Sequence, residues 1–407
     1  MYSYKLNIPA EVHDEFAQSH PQANLLQSSS WTKIKDNWKS QRVAFYKDDE
    51  IVGVASILIQ SLPLGFTIFY IPRGPIFDYE NTDLLHYIVQ TLKKLGKQSR
   101  ALFVKFDPTI IYRIHSDQAA KTPNQHALDI IKNLQDAGAD WTGLTTDLAA
   151  NIQPRYQANI YAHQFHFDDL SKTMKRKIKT ARQKGVEIVI GGSELVEEFA
   201  RVMKKTEDRK QINLRSADYY QKLIDTYPEH SFIAVARFHI ANRLTAIQEE
   251  LAKLKDAETK FTEKTKEAKR LENSKAQERL TEEFIWLQDK YEKENRPDYI
   301  PIAGTLNLQF GQVSDNLYAG TDTEYGQYQG SVLVWYETVD YLFKSGYRSQ
   351  NMGGLENTLD GGLYKFKIQF LPTVEELIGE FNLPTSPFYN LFNLAYKLRK
   401  KMRTKHS

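Results

Sequence analysis

Two kinds of residue in this chain sit where chemistry could be done: a carboxylate closing an apolar run, and lysines beside glycine-rich turns. Asp107 follows Ala101–Phe106 and precedes Pro108, a position from which a carboxylate either faces a cleft as acid or base or caps a turn. Gly353-Gly354 and Gly361-Gly362 flank a polar loop leading into Tyr364-Lys365-Phe366-Lys367. Read as a strand over Lys365–Phe370, this alternation sets Lys365 and Lys367 on one side and directs one of them into a cleft. Tyr70-Ile71-Pro72-Arg73-Gly74-Pro75 predicts a rigid strand exit, since each proline fixes φ and the glycine lets the backbone turn.

What is missing narrows the chemistry. The sequence has no cysteine, which excludes disulfides, thiolate metal sites and a cysteine nucleophile. It carries no Gly-x-Ser-x-Gly elbow, no phosphate loop ending Gly-Lys-Ser/Thr and no histidine pair at metal spacing, so no metal is expected. The net charge is only +3, but it is unevenly spread. Lys172, Lys175, Arg176, Lys177, Lys179, Arg182 and Lys184 follow one another with no acid between them, and the tail holds Lys397, Arg399, Lys400, Lys401, Arg403 and Lys405. Such patches suit a phosphate-bearing partner, either RNA or an anionic membrane surface.

The elements that must position these groups follow from periodicity. The 407 residues, 41% of them hydrophobic, suffice for two to three domains with proper cores. A helix is predicted over Trp31–Trp38. A hairpin over Gln41–Lys47 and Ile51–Gln60 turns at Asp48-Asp49, and Phe66–Ile71, the amphipathic helix Thr82–Gln98 and the strand Ala101–Phe106 complete a β-β-β-α-β, α+β unit. Thr122–Gly138 reads as a helix, Asn159–Phe165 as a strand and Ser171–Lys184 as the basic helix. Val186–Ile190, the helices Glu194–Thr206 and Asp218–Thr226 and the strand Ser231–Phe238 come next. Ile302–Phe310, Gln312–Tyr318 and the helix Gly330–Lys344 then repeat the order of the first half, and one more helix follows from Phe388. The N-terminus lacks the apolar core of a signal peptide and the longest apolar run, Ile51–Ile59, is too short to span a bilayer, so a cytoplasmic protein is expected.

Between the last two of these blocks, Ala241–Arg296 contains neither Gly nor Pro. That is too long for one ordinary globular helix. Leu244, Ile247, Leu251 and Leu254 form one narrow seam and Leu280, Phe284, Leu287 and Tyr291 another, which predicts an antiparallel helical hairpin projecting from the body. Its surface charges balance, but its tip gathers Lys260, Lys264, Lys266, Lys269, Arg270 and Lys275.

Several stretches together resemble the Fem family, the tRNA-dependent aminoacyltransferases that branch the stem peptide of peptidoglycan precursors. They are Lys33-Ile34-Lys35-Asp36-Asn37-Trp38, Arg73-Gly74-Pro75, Lys105-Phe106-Asp107-Pro108, Ala181-Arg182-Gln183-Lys184-Gly185-Val186, and Arg209-Lys210 with Arg215-Ser216-Ala217-Asp218-Tyr219. After the hairpin come Tyr318-Ala319-Gly320-Thr321, Gly353-Gly354, Gly362-Leu363-Tyr364-Lys365-Phe366-Lys367 and Gly379-Glu380-Phe381. Within the family, the long arm and basic tail are most similar to the MurM type, which attaches the first Ser or Ala of a dipeptide branch.

The resemblance implies two GNAT-like domains: residues 1–150, completed by 378–407, and residues 151–377, with the coiled-coil arm of residues 241–296 inserted into the second. It implies transfer of L-Ser or L-Ala from aminoacyl-tRNA to the ε-amino group of the stem-peptide lysine of lipid II or its nucleotide-linked precursor, with no cofactor beyond the aminoacyl-tRNA. By that pattern Lys35, Asn37, Arg215 and Tyr219 hold the precursor's diphosphate and sugar end, and Tyr318 completes the cleft. Phe366 and Lys367 meet the tRNA acceptor end, where a fixed cation suits an oxyanion. Asp107 is a base or a positioning group, with assistance from the tRNA ribose hydroxyl or α-amine as the alternative. Lys172, Lys175, Arg176, Lys179 and Arg182 are assigned to tRNA. The inner membrane surface is a candidate peripheral contact. Two rival readings are a coenzyme-A-dependent N-acyltransferase, for which no pyrophosphate loop is found, and a non-catalytic coiled-coil binding protein.

Overall fold

The computed structural model describes residues 1–115, 122–145 and 151–393; the basic tail from Lys397 lies outside them. Among the described residues the chain builds two eight-stranded mixed sheets. In the first, the spatial order is Tyr2–Leu6, Lys39–Lys47, Glu50–Ser61, Thr67–Ile71, Ala101–Phe106, Phe381–Pro384 and Asp140–Trp141, with Ile76–Phe77 beside Glu50–Ser61. In the second it is Val186–Gly191, Ser231–Phe238, Ile300–Phe310, Val313–Thr321, Ser349–Gly354, Tyr156–Tyr161, Thr373–Leu377 and Ile111–His115.

Each sheet contains one parallel pair, and each pair is bridged by a helix. Thr67–Ile71 runs parallel to Ala101–Phe106 across the helix Thr82–Gln98, and Val313–Thr321 runs parallel to Ser349–Gly354 across Gly330–Lys344. The first of these helices starts where Asn81 accepts the Leu84 N–H and buries Leu85, Ile88, Leu92 and Leu95 on one face. The β-β-β-α-β order therefore occurs twice, as the two-unit α+β reading expects. The halves exchange strands: Ile111–His115 pairs with Thr373–Leu377 in the second sheet, and Phe381–Pro384 returns to Ala101–Phe106 in the first. A buried cluster that includes Leu25, Val54, Ile76, Phe199, Ile233 and Leu306 joins them.

The arm consists of Ile240–Thr259 and Glu267–Lys293, about 30 and 40 Å long at 1.5 Å per residue. Leu244, Ile247, Leu280 and Leu287 are its buried seam. The arm does not stand wholly clear of the body, as its thin stripe suggested. Trp286 meets Tyr325 edge-on, and the buried Glu283 pairs with Arg243 and accepts from the Tyr328 hydroxyl at 3.0 Å. Its base thus belongs to the second sheet's core. Replacing Leu287 by Ala should cost about 2–5 kcal/mol in chemical denaturation, whereas Ile285→Ala, at a side chain 64% exposed, should stay within about 0.5 kcal/mol.

Three predicted elements differ. The helix predicted over Trp31–Trp38 ends after Ile34, where Asp36 swings out to pair with Lys222 at 2.6 Å. The strand predicted at Asn159–Phe165 lies at Tyr156–Tyr161. The strand predicted at Lys365–Phe370 is a short helix, Gly362–Lys367, followed by a 3-10 turn over Ile368–Phe370. Both Glu356 carboxylate oxygens accept from its first turn, Oε1 from the Leu363 N–H at 2.9 Å and Oε2 from the Tyr364 N–H at 3.0 Å. A carboxylate at a helix N-terminus favours the helix over the strand that the alternation suggests.

Candidate active site

The helix at Gly362–Lys367 changes the environment of the two lysines. Residues two apart on a helix face different ways, so Lys365 is exposed while Lys367 is buried. The Lys367 ammonium donates to the Gly354 carbonyl at 2.8 Å. Burial lowers its pKa to about 8, against the attraction of Glu356 and with the repulsion of Lys210. It lines a cavity of about 650 Å³ together with Phe366, Arg209, Thr321 and Trp335. The lysine is therefore a cation held at a cavity wall, bonded to a backbone carbonyl.

A smaller cavity of about 200 Å³ adjoins the first. Asn316, Leu317, Gly353 and Gly354 belong to both linings, and Arg73, Gln157, Asp315 and Asn351 are among the residues that line only the small one. The junction exists because the parallel strands Val313–Thr321 and Ser349–Gly354 pair only from Val313 to Asp315 and from Ser349 to Asn351, then separate. Gly353 sits in the gap with φ near +84°, a conformation that glycine adopts without strain.

The residues that the resemblance assigns to the precursor's diphosphate gather around Tyr318 of the same strand. The Arg215 guanidinium lies 4.9 Å from the Tyr219 ring, and Tyr219 meets Tyr318 edge-on at 6.2 Å. Burial raises the pKa of Tyr219, with Tyr318 adding to it. Lys35, half-buried and 5.5 Å from the Trp31 ring, has its pKa lowered by burial and then by Arg215. Two cations that repel each other thus lie beside two phenols in edge-on contact, a chemistry suited to an anion with a sugar face. Asn37 is exposed on the turn beyond Lys35.

Asp107 is placed differently from a base. It is 2% exposed, and both of its oxygens are used, one by the Arg73 N–H at 2.8 Å and the other by the Tyr70 hydroxyl at 3.2 Å. Burial raises its pKa to about 6 against the pull of Arg73. Arg73 itself has φ near +54°, a strained value for a side chain of its size, and its guanidinium donates to Pro154 O at 2.6 Å. Asp107 holds that loop in place. Next to it Gly74 approaches Gln27 so closely that a Cβ would lie 2.6 Å from the amide carbon, and Gln27 in turn donates to Pro72 O at 2.6 Å.

The basic helix, Lys172–Gln183, buries Met174, Ile178 and Ala181. Among the described residues Lys172, Arg176 and Lys179 are exposed and form no ion pair, whereas Lys175 donates to Asp168 O at 2.7 Å and Arg182 to Glu337 at 2.5 Å. Lys177 reaches Gln369 at 2.8 Å and shares with Phe366 a cavity of about 190 Å³. That cavity has Thr321, Ser331 and Phe366 in common with the Lys367 cavity. Adjoining cavities thus lead from the basic helix to Lys367.

A family profile described as "FemAB family" matches residues 8–397. The chain belongs to the FemAB family. It is 28% identical over 420 aligned residues to the lipid II:glycine glycyltransferase of Staphylococcus saprophyticus, with 97% of each chain covered. To the protein of the same name from Staphylococcus aureus it is 27% identical, covering 95% of this chain and 94% of that one. The crystal structure of FemX superposes with a TM-score of 0.74 at 24% identity, covering 96% of this chain and 99% of that one, which shows the fold. As a FemAB protein aligned end to end with named glycyltransferases, it is an enzyme of the aminoacyl-transferring class. Among the described residues no helix is long and apolar enough to cross a membrane.

The roles taken from the resemblance fall into two groups. Phe366 and Lys367 share a cavity; Lys35, Arg215, Tyr219 and Tyr318 share a surface cluster; and the strand Val313–Thr321 borders both. Asp107 stands apart from both. Sequence reasoning passed over Asp315 and Asn351. The one trace of Asp315 was a carboxylate inside a predicted strand, three residues before Tyr318.

Proposed function

We propose that this FemAB protein transfers L-Ser or L-Ala from aminoacyl-tRNA to the ε-amino group of the stem-peptide lysine of lipid II, or of its nucleotide-linked precursor. The observation that carries the reading is the arrangement along Val313–Thr321: a cavity with a buried cation, a narrow side cavity, and a cationic and aromatic cluster border one strand. In this reading the Lys35, Arg215, Tyr219 and Tyr318 cluster, with Asn37 at its rim, receives diphosphate and sugar, and the lysine arm of the stem peptide threads the narrow cavity. At about 200 Å³ that cavity is below the usual range for whole ligands. It fits a chain, not a ring system. The acceptor end of the tRNA reaches Phe366 and Lys367 from the side of the basic helix.

Attack of the amine on the ester carbonyl places negative charge on oxygen, and the Lys367 ammonium is the donor that meets it. Fixed donors at such a position contribute about 3–4 kcal/mol. The ester is itself activated, so the reaction needs no cofactor beyond the aminoacyl-tRNA. The test is reconstitution: purified protein, lipid II with a lysine stem, and seryl-, alanyl- or glycyl-tRNA in turn. Mass spectrometry should show the acceptor heavier by one Ser or one Ala. Glycine alone would replace the amino acid assigned here, as the names of the relatives would suggest; no product with any of the three, or product with acetyl-CoA instead, would overturn the transfer. Lipid II is membrane-borne, which would bring the enzyme to the anionic inner membrane surface while it works.

The tRNA assignment has its own expectation. Lys172, Arg176 and Lys179, the uncommitted cations, should each contribute about one unit to the slope of log affinity against log salt. Changing all three to Ala should flatten that slope by about three units in a filter-binding titration. An unchanged slope would place the RNA elsewhere.

A further inference from the structure

The transfer proposed above needs a base, because the acceptor lysine, with an ordinary pKa near 10.4, arrives as an ammonium with no lone pair to attack. We propose that Asp315 is this base: its carboxylate lines the narrow side cavity, next to the Lys367 cavity, and takes a proton from the acceptor ammonium before attack. The inference rests on the reading of the preceding section and adds a catalytic residue to it.

Two carboxylates compete for the role, Asp107 buried and Asp315 half-buried on the wall of the small cavity, and their hydrogen bonds separate them. Asp107 has both oxygens occupied and borders neither cavity. Asp315 uses only Oδ1, which accepts from the Asn351 side chain at 2.8 Å; among the described residues its Oδ2 accepts no hydrogen bond. An unused oxygen on a cavity wall is where a donor from outside can dock.

Asp315 is also tied to Lys367 through a rigid frame. Asn351, which holds Asp315, accepts the Gly353 N–H at 2.8 Å, and the carbonyl of the next residue, Gly354, accepts the Lys367 ammonium at 2.8 Å. A Cβ built on Gly353 would lie 3.6 Å from the Asn316 carbonyl and 3.6 Å from Lys367 Nζ. Gly353 itself puts no side chain into the junction of the two cavities. The groups that act on Asp315 are Asn351 from the neighbouring strand and Arg73 from the first sheet's loop, with the buried phenol of Tyr227 as the other titratable neighbour. Burial raises its pKa to about 6, against the hydrogen bond from Asn351 and the attraction of Arg73. A carboxylate shifted in that direction is a better proton acceptor at neutral pH than an exposed one.

The step balances as follows. One ammonium proton passes to Asp315 Oδ2. The freed nitrogen lone pair forms the C–N bond, and the carbonyl π pair moves onto oxygen beside Lys367. Collapse of the tetrahedral species breaks the ester C–O bond, and the departing ribose oxygen takes the second nitrogen proton to become a hydroxyl. The products are amide, uncharged tRNA and one proton on Asp315, which passes to solvent.

The test uses the reconstituted full chain and compares Asp315→Asn, Asp315→Glu and Asp107→Asn with wild type across pH 5 to 9. Asp315→Asn should lower kcat about 10²-fold or more, change KM for either substrate by less than about threefold, and abolish the rise of rate with pH near 6. Asp315→Glu should recover part of the rate with a displaced acid limb, and Asp107→Asn should keep the limb. A wild type inert with every charged tRNA overturns the transfer and this inference together. An active wild type with Asp315→Asn retaining more than about a third of kcat, or keeping the limb, overturns this inference alone. Should Asp315→Asn fail to fold, an acid limb unmoved in Asp315→Glu overturns it equally.

Discussion

Replacing Lys367 by Met is expected to lower kcat about 10²–10³-fold while KM for lipid II changes less than about threefold. Methionine fills a similar volume against Phe366 and Trp335 but carries no proton for an oxyanion. The effect belongs to the transition state, where the charge exists, and not to the ground state. A parallel loss in kcat and in precursor affinity would show that Lys367 only binds. The wild-type profile carries the same information in its pH dependence. Only the protonated lysine can stabilise the oxyanion, and burial brings its pKa down to about 8, so the rate should fall as pH rises through about 8. Lys367→Arg, whose guanidinium stays charged throughout, should lose that alkaline limb whatever its residual rate.

The second large effect concerns stability. Glu376 is buried and gathers His115 at 2.7 Å, Arg113 at 3.1 Å and the Arg155 guanidinium, drawing together the strands Ile111–His115, Tyr156–Tyr161 and Thr373–Leu377 where the first half crosses into the second sheet. Glu376→Ala leaves Arg155, itself 4% exposed, without its carboxylate, and should cost about 3–5 kcal/mol in denaturant unfolding. Burial alone would raise the pKa of Glu376, but the hydrogen bonds from His115 and Arg155 outweigh it and hold it below the ordinary 4.5. A depressed carboxylate stabilises the fold above its unfolded pKa. That stabilisation should be complete above about pH 4.5 and lost as pH falls through the lower folded value. The variant should lack this acid dependence; a loss under 1 kcal/mol would show that the cluster is dispensable.

How much of this was legible in the sequence depended on the range of the forces involved. The hairpin at Asp48-Asp49, the helices Thr82–Gln98 and Gly330–Lys344 and the two arm limbs declare themselves by local periodicity, and the structure has them within a few residues. Tyr364-Lys365-Phe366-Lys367 misled for the opposite reason. Its period of two is a strand signal, but a carboxylate six residues upstream of Gly362 caps a helix there, and that interaction is absent from any local window. The contact between arm base and body was hidden in the same way, since Glu283 looks like one more surface charge until Arg243 and Tyr328 surround it.

The site was legible only in part, and along the same line. Lys35, Arg215, Tyr219 and Tyr318 were assigned through their resemblance to a family pattern, and the structure brings them onto one surface. Asp107 drew attention because it ends a strand before a proline. Its buried position on the Arg73 loop follows from packing between Ala101–Phe106 and Thr67–Ile71, which the sequence does not display. Asp315 had only the mark of a carboxylate inside a predicted strand. Its importance depends on two strands parting after three paired residues, and that separation is a property of the sheet.

In the proposed transfer the two adjoining cavities form one reaction chamber, with the lysine arm on one side of Gly353 and the RNA end on the other. A crystal structure with a tetrahedral phosphonate that joins a stem-peptide lysine to a 3′-terminal adenosine tests it most directly. The expected result is a phosphonate oxygen within about 3 Å of Lys367 Nζ, the alkyl arm beside Asp315 in the narrow cavity and the nucleoside against Phe366. An analogue seated instead in the cavity at the arm base, among Lys184, Arg243 and Arg279, with the Lys367 cavity empty, would contradict it.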